Sequence, residues 1–347
     1  MTKKIGIAFL GSSFAQRAQA PAFEAVGGVK LIGAASPHSA EAFAKAFDMP
    51  VHTSDWKELV KRDDVDLVCI TTPPKLHCEQ ALFALEQGKH VLCEKPFAMS
   101  VQEAEEMQRM AAGKNQLAVI DHELRFSPGM RFARKLIREG KLGKIFFASI
   151  ASHIMYRRDP QLPWHWWSDK SWGGGAWGAI GSHLIDQLHY HVGDIAESKV
   201  MKQTVVKKRT DKNGDQREVT SDDIASAVVR FKEGFTGQIT TVMAAAQNRF
   251  EMEITGEAGA LRVDMDHRVY FAEPGQPYVE IEVPLSERQK ELNKLYETAR
   301  ITARSMFSRS FIHYADEIVR TLQEGKTSIE DAATFEDGVK VMRVMEG

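Results

Sequence analysis

The first third of the chain alternates between two hydrophobic periods, and this alternation constrains the fold more than any other feature. Lys4–Leu10, Val29–Ala35, Asp66–Thr72, His90–Cys93 and Leu117–Ile120 are short, near-continuous apolar runs. Helical patterns separate them at Phe14–Val26, Ser39–Phe47, Trp56–Lys61 and Lys75–Gln87. Another follows Ser100, where Glu103 completes a capping box. Strands that are apolar on both faces belong in a parallel sheet covered by helices on either side. The expected fold class is therefore α/β, with a doubly wound parallel sheet over residues 1–122.

The pattern changes after residue 122. A helix is expected over Met130–Glu139, ending at Gly140, and a long strand over Ile145–Met155. A loop rich in Trp and Gly leads into a further helix. Strands are then expected at Val200–Lys208, Ile224–Phe231, Phe235–Ala244, Phe250–Thr255 and Tyr278–Val283. The charged stretch Lys207–Asp223, with Asn213-Gly214 inside it, reads as a solvated hairpin tip. Two helices close the chain. One carries Phe311, Ala315, Ile318, Val319 and Leu322 at helical spacing, and the other starts at Ser328 and Asp331. Residues 123–347 thus read as an α+β domain with an open, mostly antiparallel sheet. Ile224–Phe231 and Phe235–Ala244 carry apolar residues on both faces, so the second face needs a cover. A homodimer or homotetramer would supply one; Pro284–Phe311 folding back over the sheet is the alternative.

Charge and composition narrow the function. The 347 residues include 45 Lys and Arg against 47 Asp and Glu, a net charge of -2, which is not the basic footprint of a nucleic-acid binder. No apolar run approaches the ~20 residues that a membrane helix requires. After the basic start Met1-Thr2-Lys3-Lys4, the apolar run Ile5–Leu10 is too short for a signal-peptide core. A cytoplasmic protein with no membrane partner is expected. Cys69, Cys78 and Cys93 are odd in number and fit neither a zinc nor a disulfide spacing, so they read as reduced thiols.

The chemistry concentrates at strand ends. Gly11, Ser12, Ser13, Phe14 and Ala15 form the first strand–turn–helix, where a dinucleotide fingerprint wants three glycines. Only Gly11 fits. Ser13 is small enough for close pyrophosphate approach, and the helix start behind it would offer N–H groups to the anion. The second strand ends at Ser36-Pro37-His38, where an NAD site usually places an acid. With Ser36 there instead, and with His38 and Arg17 as candidates for a 2′-phosphate, the expected cofactor is NAD or NADP, leaning to NADP. Glu94-Lys95-Pro96 follows the His90–Cys93 strand, at the sheet edge where open α/β sheets bind ligands.

These residues occur in a wider pattern. Ile70-Thr71-Thr72-Pro73-Pro74 with His77 precedes Gly88-Lys89-His90-Val91-Leu92-Cys93-Glu94-Lys95-Pro96. Arg125-Phe126-Ser127-Pro128 and Gly173-Gly174-Gly175 lead on to Gly181-Ser182-His183-Leu184-Ile185-Asp186. Together they resemble the glucose–fructose oxidoreductase/inositol dehydrogenase (Gfo/Idh/MocA) family over nearly the whole chain. The resemblance implies an N-terminal Rossmann domain, a C-terminal substrate-binding and oligomerisation domain, and a nicotinamide cofactor between them. It implies hydride transfer to or from a secondary alcohol of a sugar, cyclitol or related compound. Lys95 matches the family's catalytic lysine and His183 its acid–base histidine. Thr71, Thr72, Pro73, His77, Glu94, Pro96 and Arg125 would then belong to the cofactor side. The family commonly has an Asp one turn before the histidine; here the position is Ala179.

Read as a helix, Ala179, His183, Asp186 and Tyr190 share one stripe. Asp186 could orient His183 or pair with Lys95, and joins the catalytic candidates. His189 falls about 120° away from His183, which disfavours a metal site. Five of the six tryptophans, Trp164, Trp166, Trp167, Trp172 and Trp177, crowd into fourteen residues. Flat indole faces suit the C–H surface of a sugar. Trp164, Trp166 and Trp177, with Tyr156 and Arg157 just upstream, are the expected substrate residues. Two other functional classes fit the departures at Ala179 and in the glycine fingerprint. One is a non-catalytic NAD(P)-binding sensor. The other is a hydrolase or lyase that oxidises and re-reduces one carbon on bound NAD.

Overall fold

A computed structural model describes residues 3–347; Met1 and Thr2, the start of the basic N-terminus, lie outside the described residues. The chain divides into two units. One is Met1–Ser127 with Leu285–Val339, and the other is Pro128–Pro284 with Lys340–Gly347.

In the first unit, β1 (Ile5–Leu10), β2 (Val29–Ala35), β3 (Val51–Thr53), β4 (Leu67–Ile70), β5 (His90–Cys93) and β6 (Ala118–Ile120) form a parallel sheet in the order β6-β5-β4-β1-β2-β3. A two-residue strand, Ala333–Thr334, adds antiparallel to β6. β1 and β4 are buried along their whole length, as strands sandwiched by helices on both faces must be. The order is that of a Rossmann domain.

The helix after β1 begins with a π turn, Ala15–Gln19, before regular α-helix over Ala20–Val26. Pro21 explains the widening, because it has no N–H to return to the preceding turn. The carbonyl of Arg17 accepts instead from the backbone N–H groups of Thr302 and Ala303.

Thr302 and Ala303 belong to the segment that departs most from the expected division at residue 122. Helices Glu287–Thr298 and Met306–Gln323 return to the first unit rather than extending the second. They bury Leu292, Tyr296, Phe311, Tyr314 and Ile318 in the same core as Phe9, Phe23 and Phe43. The Arg300 guanidinium donates to Glu24 and to the Ala46 carbonyl. Pro284–Phe311, the alternative cover for the second sheet, thus gives its buried side chains to the core of the first unit. The last helix starts at Phe335, not near Ser328, because Ala333–Thr334 is held as a strand and Asp331 has a positive φ of 69°.

The second unit is built on an eight-stranded sheet. Its strands begin with β7 (Ile145–His153) and β8 (Ile195–Gln203); a separate small hairpin follows as β9 (Lys208–Thr210) and β10 (Gln216–Glu218). β11 (Ile224–Phe231), β12 (Thr236–Val242), β13 (Arg249–Gly256), β14 (Gly259–Asp264), β15 (Val269–Ala272) and β16 (Val279–Ile281) complete it. The order is β16-β15-β14-β13-β7-β12-β11-β8, antiparallel except for β7 beside β12. The hairpin at Asn213-Gly214 is as expected. β8 begins five residues before the expected Val200, because an edge strand rich in Glu and Lys hides its period. β14 and β15 were not anticipated.

β11 and β12 alternate. Ala225, Ala227, Val229, Phe231 and Ile239 are buried, while Ser226, Arg230, Thr236 and Gln238 are exposed. The expectation of two apolar faces is thus corrected. Val228 on β11 and Met201 on the neighbouring β8 are the large exposed apolar residues of this region.

Gly338 gives a test of the packing. A Cβ there would lie 2.5 Å from both the Ile120 and Phe97 side chains, which are themselves buried. Replacing a mid-helix Gly with Ala gains up to ~1 kcal/mol of helix propensity, whereas overpacking costs ~1–3 kcal/mol. Gly338→Ala should therefore lose about 1 kcal/mol in urea denaturation. A gain in stability would show that this contact is not tight.

Candidate active site

The ends of β1, β2 and β4 meet at one level. The Gly11 N–H donates to Ala35 O at 2.9 Å, and both the N–H and the hydroxyl of Thr71 donate to Leu10 O. Gly11 has a φ of 93°, and a Cβ there would stand 2.6 Å from the Thr71 carbonyl oxygen. Only glycine satisfies this φ and this close approach of the two chains. Beside it, the hydroxyl of Ser39 lies 2.7 Å from that of Ser12 and 2.8 Å from that of Ser36. Ser39 escaped the sequence reading, although its place before the Ala40–Ala46 helix marked it as polar for a reason. Arg17 folds back onto Ser13, donating to its carbonyl and hydroxyl at 3.2 Å. His38 is exposed, and Ala15 is buried. The Phe14 ring packs edge-on to Phe311, so any part it takes in binding falls to its backbone.

The Glu94-Lys95-Pro96 corner is held from behind. Glu94 N–H donates to Ile70 O, continuing the β4–β5 pairing, and the Lys95–Pro96 peptide is cis. Lys95 Nζ is 3.7 Å from Glu94 Oε2 and remains one-fifth exposed. His77 is fully buried, with Nδ1 3.0 Å from Pro96 O and Nε2 2.9 Å from Thr72 O. Burial pushes its imidazole down to about 4 against the raising effect of those carbonyls. The ring is wedged between two backbone carbonyls, and its one N–H donates to one of them. His77 is a brace between the chain after β4 and the Lys95 corner, not a free cofactor ligand. Thr72 donates its hydroxyl to Gln80, and Pro73 precedes the turn that carries His77. Arg125 is buried and donates to Asp331 O at 3.3 Å and to Asp337 at 3.5 Å. It ties the chain after β6 to the returning segment.

Three further residues stand behind Lys95. Asp121 and Glu123 follow β6 and are buried along with Glu94. Gln19, from the π turn, donates to Asp121 Oδ2 at 2.6 Å and to Glu94 Oε1 at 3.2 Å. Burial raises the Glu94 carboxyl and pushes Asp121 and Glu123 well up, reinforced by their mutual repulsion. The sequence analysis singled out none of these three, because what brings them together is contact between segments far apart along the chain.

In the second unit, the segment before His183 is a π turn, Trp177–Gly181, followed by α-helix over Ser182–Val192. The widened turn shifts Ala179 off the simple stripe expected for His183, Asp186 and Tyr190. His183 and Asp186 are buried, and Asp186 Oδ2 accepts from Gln187 at 3.4 Å. Trp177 is also buried. Its ring fills the space beside Gly181, where a Cβ would come within 2.5 Å, and its Nε1 donates to Met345 O. Trp177 is a core residue, which corrects its assignment to the substrate.

Arg157 is corrected for the same reason. It is wholly buried, donates to Ser168 Oγ at 2.8 Å and lies over the Trp167 ring. Trp164 gives its Nε1–H to Glu218 O and stacks on Arg217, which anchors the β9–β10 hairpin. Of the expected substrate residues, Tyr156 remains exposed and Trp166 half-buried.

The two histidines His77 and His191 set an acid limit. Burial lowers both to about 4 from an ordinary 6.5. Between those values the unfolded chain binds protons that the folded chain refuses. Stability present above pH 6.5 is therefore lost as pH falls toward 4. In His77→Gln the loss between pH 7 and pH 5 should shrink by about 2 kcal/mol. Urea denaturation at the two pH values measures it, and an unchanged difference would count against a neutral buried His77.

Comparison with known proteins agrees with this geometry. The model of an oxidoreductase family with an NAD-binding Rossmann fold matches residues 5–122, and the model of the GFO/IDH/MocA C-terminal domain matches residues 130–262. An uncharacterized oxidoreductase of Synechocystis sp. is 30% identical over 299 residues, covering 82% of this chain and 81% of that protein. Levoglucosan dehydrogenase of Pseudarthrobacter phenanthrenivorans is 30% identical over 255 residues, 69% of this chain and 65% of the enzyme. A solved structure of levoglucosan dehydrogenase in complex with NADH superposes with a TM-score of 0.85 at 23% identity, over 99% of this chain and 95% of that one. Among the described residues, no helix is long and apolar enough to cross a membrane. With both family models matched in order and the Glu94-Lys95-Pro96 corner at the expected sheet edge, the chain belongs to the Gfo/Idh/MocA family of NAD-binding oxidoreductases.

Proposed function

We propose that the protein transfers hydride between a nicotinamide cofactor and a secondary alcohol of a sugar, cyclitol or related compound. The observation that carries this reading is Lys95, an accessible ammonium fixed at the C-terminal edge of β5 by a buried frame. The turn at Gly11, with a φ of 93° at the C-terminal end of β1 and ahead of a helix, is the kind of turn that receives a dinucleotide pyrophosphate. When bound, the nicotinamide supplies the site that accepts or releases hydride. Lys95 hydrogen-bonds the reacting oxygen and stabilises the negative charge that develops there. His183 takes the hydroxyl proton in oxidation and returns it in reduction, and Asp186 orients His183. Levoglucosan, the substrate in the name of one relative, belongs at the head of the substrate panel.

We further read the cofactor as NADP. The end of β2 offers no carboxylate to accept hydrogen bonds from a ribose diol. It offers the hydroxyl cluster Ser12, Ser36 and Ser39, which can donate to a 2′-phosphate. Fluorescence titration should show NADPH binding more tightly than NADH, and Ser36→Asp should reverse the order. Equal or tighter NADH binding by the unaltered protein would reject this choice.

Turnover is measured as absorbance of reduced cofactor over a panel of sugars, anhydrosugars and cyclitols. Lys95→Ala should abolish it while leaving cofactor binding intact. His183→Ala should lower the rate by ~10²–10⁴-fold, with Asp186→Ala hurting less. Near-normal kcat in Lys95→Ala would remove that residue from the mechanism. Cofactor bound with no turnover on any substrate would favour a sensor. Product formed with no net change in reduced cofactor would favour transient oxidation by a hydrolase or lyase.

A further inference from the structure

The β9–β10 hairpin is charged and exposed, yet one of its side chains is turned inward. Of the six residues in β9 and β10, Arg209 alone is buried, at 1% exposure. One terminal nitrogen of its guanidinium donates to the carbonyls of Asp159 at 2.7 Å and Leu162 at 3.3 Å, and the other to the carbonyl of Arg157 at 2.7 Å. All three acceptors lie in the segment that leaves the end of β7. That segment has few side chains to hold it: of residues 155–163, only Arg157 is buried. A loop without apolar anchors keeps one shape only where its backbone groups are bound. Hydrogen bonds from a charged donor are the strong kind.

Further bonds join the same two segments. Trp164 N–H donates to Thr210 O at 2.8 Å, and Thr220 N–H to Ser168 O at 3.0 Å. Just past the hairpin, Asp222 accepts from Ala176 N–H through its carbonyl at 2.9 Å and from Trp177 N–H through its carboxylate at 2.8 Å. Trp177 opens the turn that leads into the His183 helix. The hairpin and the residues after it thus hold two things at once: the loop that carries Tyr156 and Trp166, and the start of the helix that carries His183.

We propose that Arg209 is a positioning residue for substrate: by gathering the carbonyls of Arg157, Asp159 and Leu162 it fixes the loop over Tyr156–Ser168 relative to the His183 helix, and so sets which sugar ring that loop can hold. Tyr156, 54% exposed, offers a hydroxyl, and the half-buried Trp166 offers an indole face. Together they suit the hydroxyls and the C–H face of a pyranose-like ring. Arg209 acts only through the loop. This role rests on the hydride-transfer function proposed above, but the shape of the loop can be read without cofactor or substrate.

Hydrogen–deuterium exchange followed by mass spectrometry reads the loop directly. Arg209→Ala should speed exchange in peptides from 156–168 by about tenfold or more, the consequence of losing charged donors to buried carbonyls. Peptides of β7, β12 and the first unit should keep their rates. Arg209→Lys, which retains one charged donor, should restore part of the protection. In turnover of the sugar with the highest kcat/KM in the panel, Arg209→Ala should raise KM roughly tenfold and change kcat little, because Lys95 and His183 are untouched. A merely structural role would lower the melting temperature and leave KM alone. Should Arg209→Ala fail to fold, Arg217→Ala carries the test: it is an exposed change that removes only the stack on Trp164. It should speed exchange around Trp164 and raise KM in the same direction. Loop exchange equal to that of the unaltered protein, or a faster loop with KM unchanged, would overturn the proposal. No turnover of any sugar by the unaltered protein would sink the underlying function, and the substrate role of Arg209 with it; exchange would still decide whether Arg209 holds the loop.

Discussion

The crowding of strand ends at the level of Gly11 is the constraint on which the first unit depends. Leu10 O receives two donors from Thr71, and Gly11 N–H reaches across to Ala35 O. The chains leaving β1 and β4 run so close there that no side chain fits at Gly11. From this one junction the helix after β1 takes its direction and Gln19 reaches the acids behind Lys95. The hydroxyls of Ser12, Ser36 and Ser39 gather beside it. A parallel sheet alone would bring the strand ends into line; the missing Cβ brings them into contact.

The chemistry sits on rigid parts. The buried His77 ring sits between two backbone carbonyls, one of them that of Pro96. A side chain so used contributes nothing to binding directly, yet it decides where Lys95 stands. Trp177 and Gly181 play a comparable part ahead of His183, where an indole ring takes the place a Cβ would need. Each candidate catalytic residue is thus set by a neighbour whose own interactions are entirely internal. The π turn at Trp177–Gly181 lies directly ahead of His183, and the one at Ala15–Gln19 carries Gln19; local widening of a helix is a frequent way to aim side chains at a site.

Much of this was legible in sequence because it follows from local period. The buried strands of the first sheet, the hairpin at Asn213-Gly214 and the strand-end placement of Lys95 all need only nearest neighbours along the chain. What stayed hidden depends on distant partners. Asp121 and Glu123 look like surface residues until Met306–Gln323 returns and covers their strand, stacking Tyr314 on Phe126 and donating Tyr314 O–H to Ile120 O. Arg157 and Trp177 looked available for a ligand because tryptophan and arginine suit ligands; burial assigned them to packing. β8 was misplaced because an edge strand with one exposed face and one exposed flank carries little apolar signal.

The return of Leu285–Val339 to the first unit has a consequence for how the protein is made. The first 127 residues contain every parallel strand of their sheet but lack the helices that supply Phe311, Tyr314 and Ile318 to the core. During synthesis the N-terminal sheet must wait, partly uncovered, while some 160 residues of the second unit are translated. The second unit can complete its sheet first, although it starts later along the chain. Order of emergence and order of completion are inverted, and the exposed interval falls on the most hydrophobic strands in the molecule. A chain with this connectivity relies on slow closure of long loops and leaves its nascent form open to chaperones for much of translation.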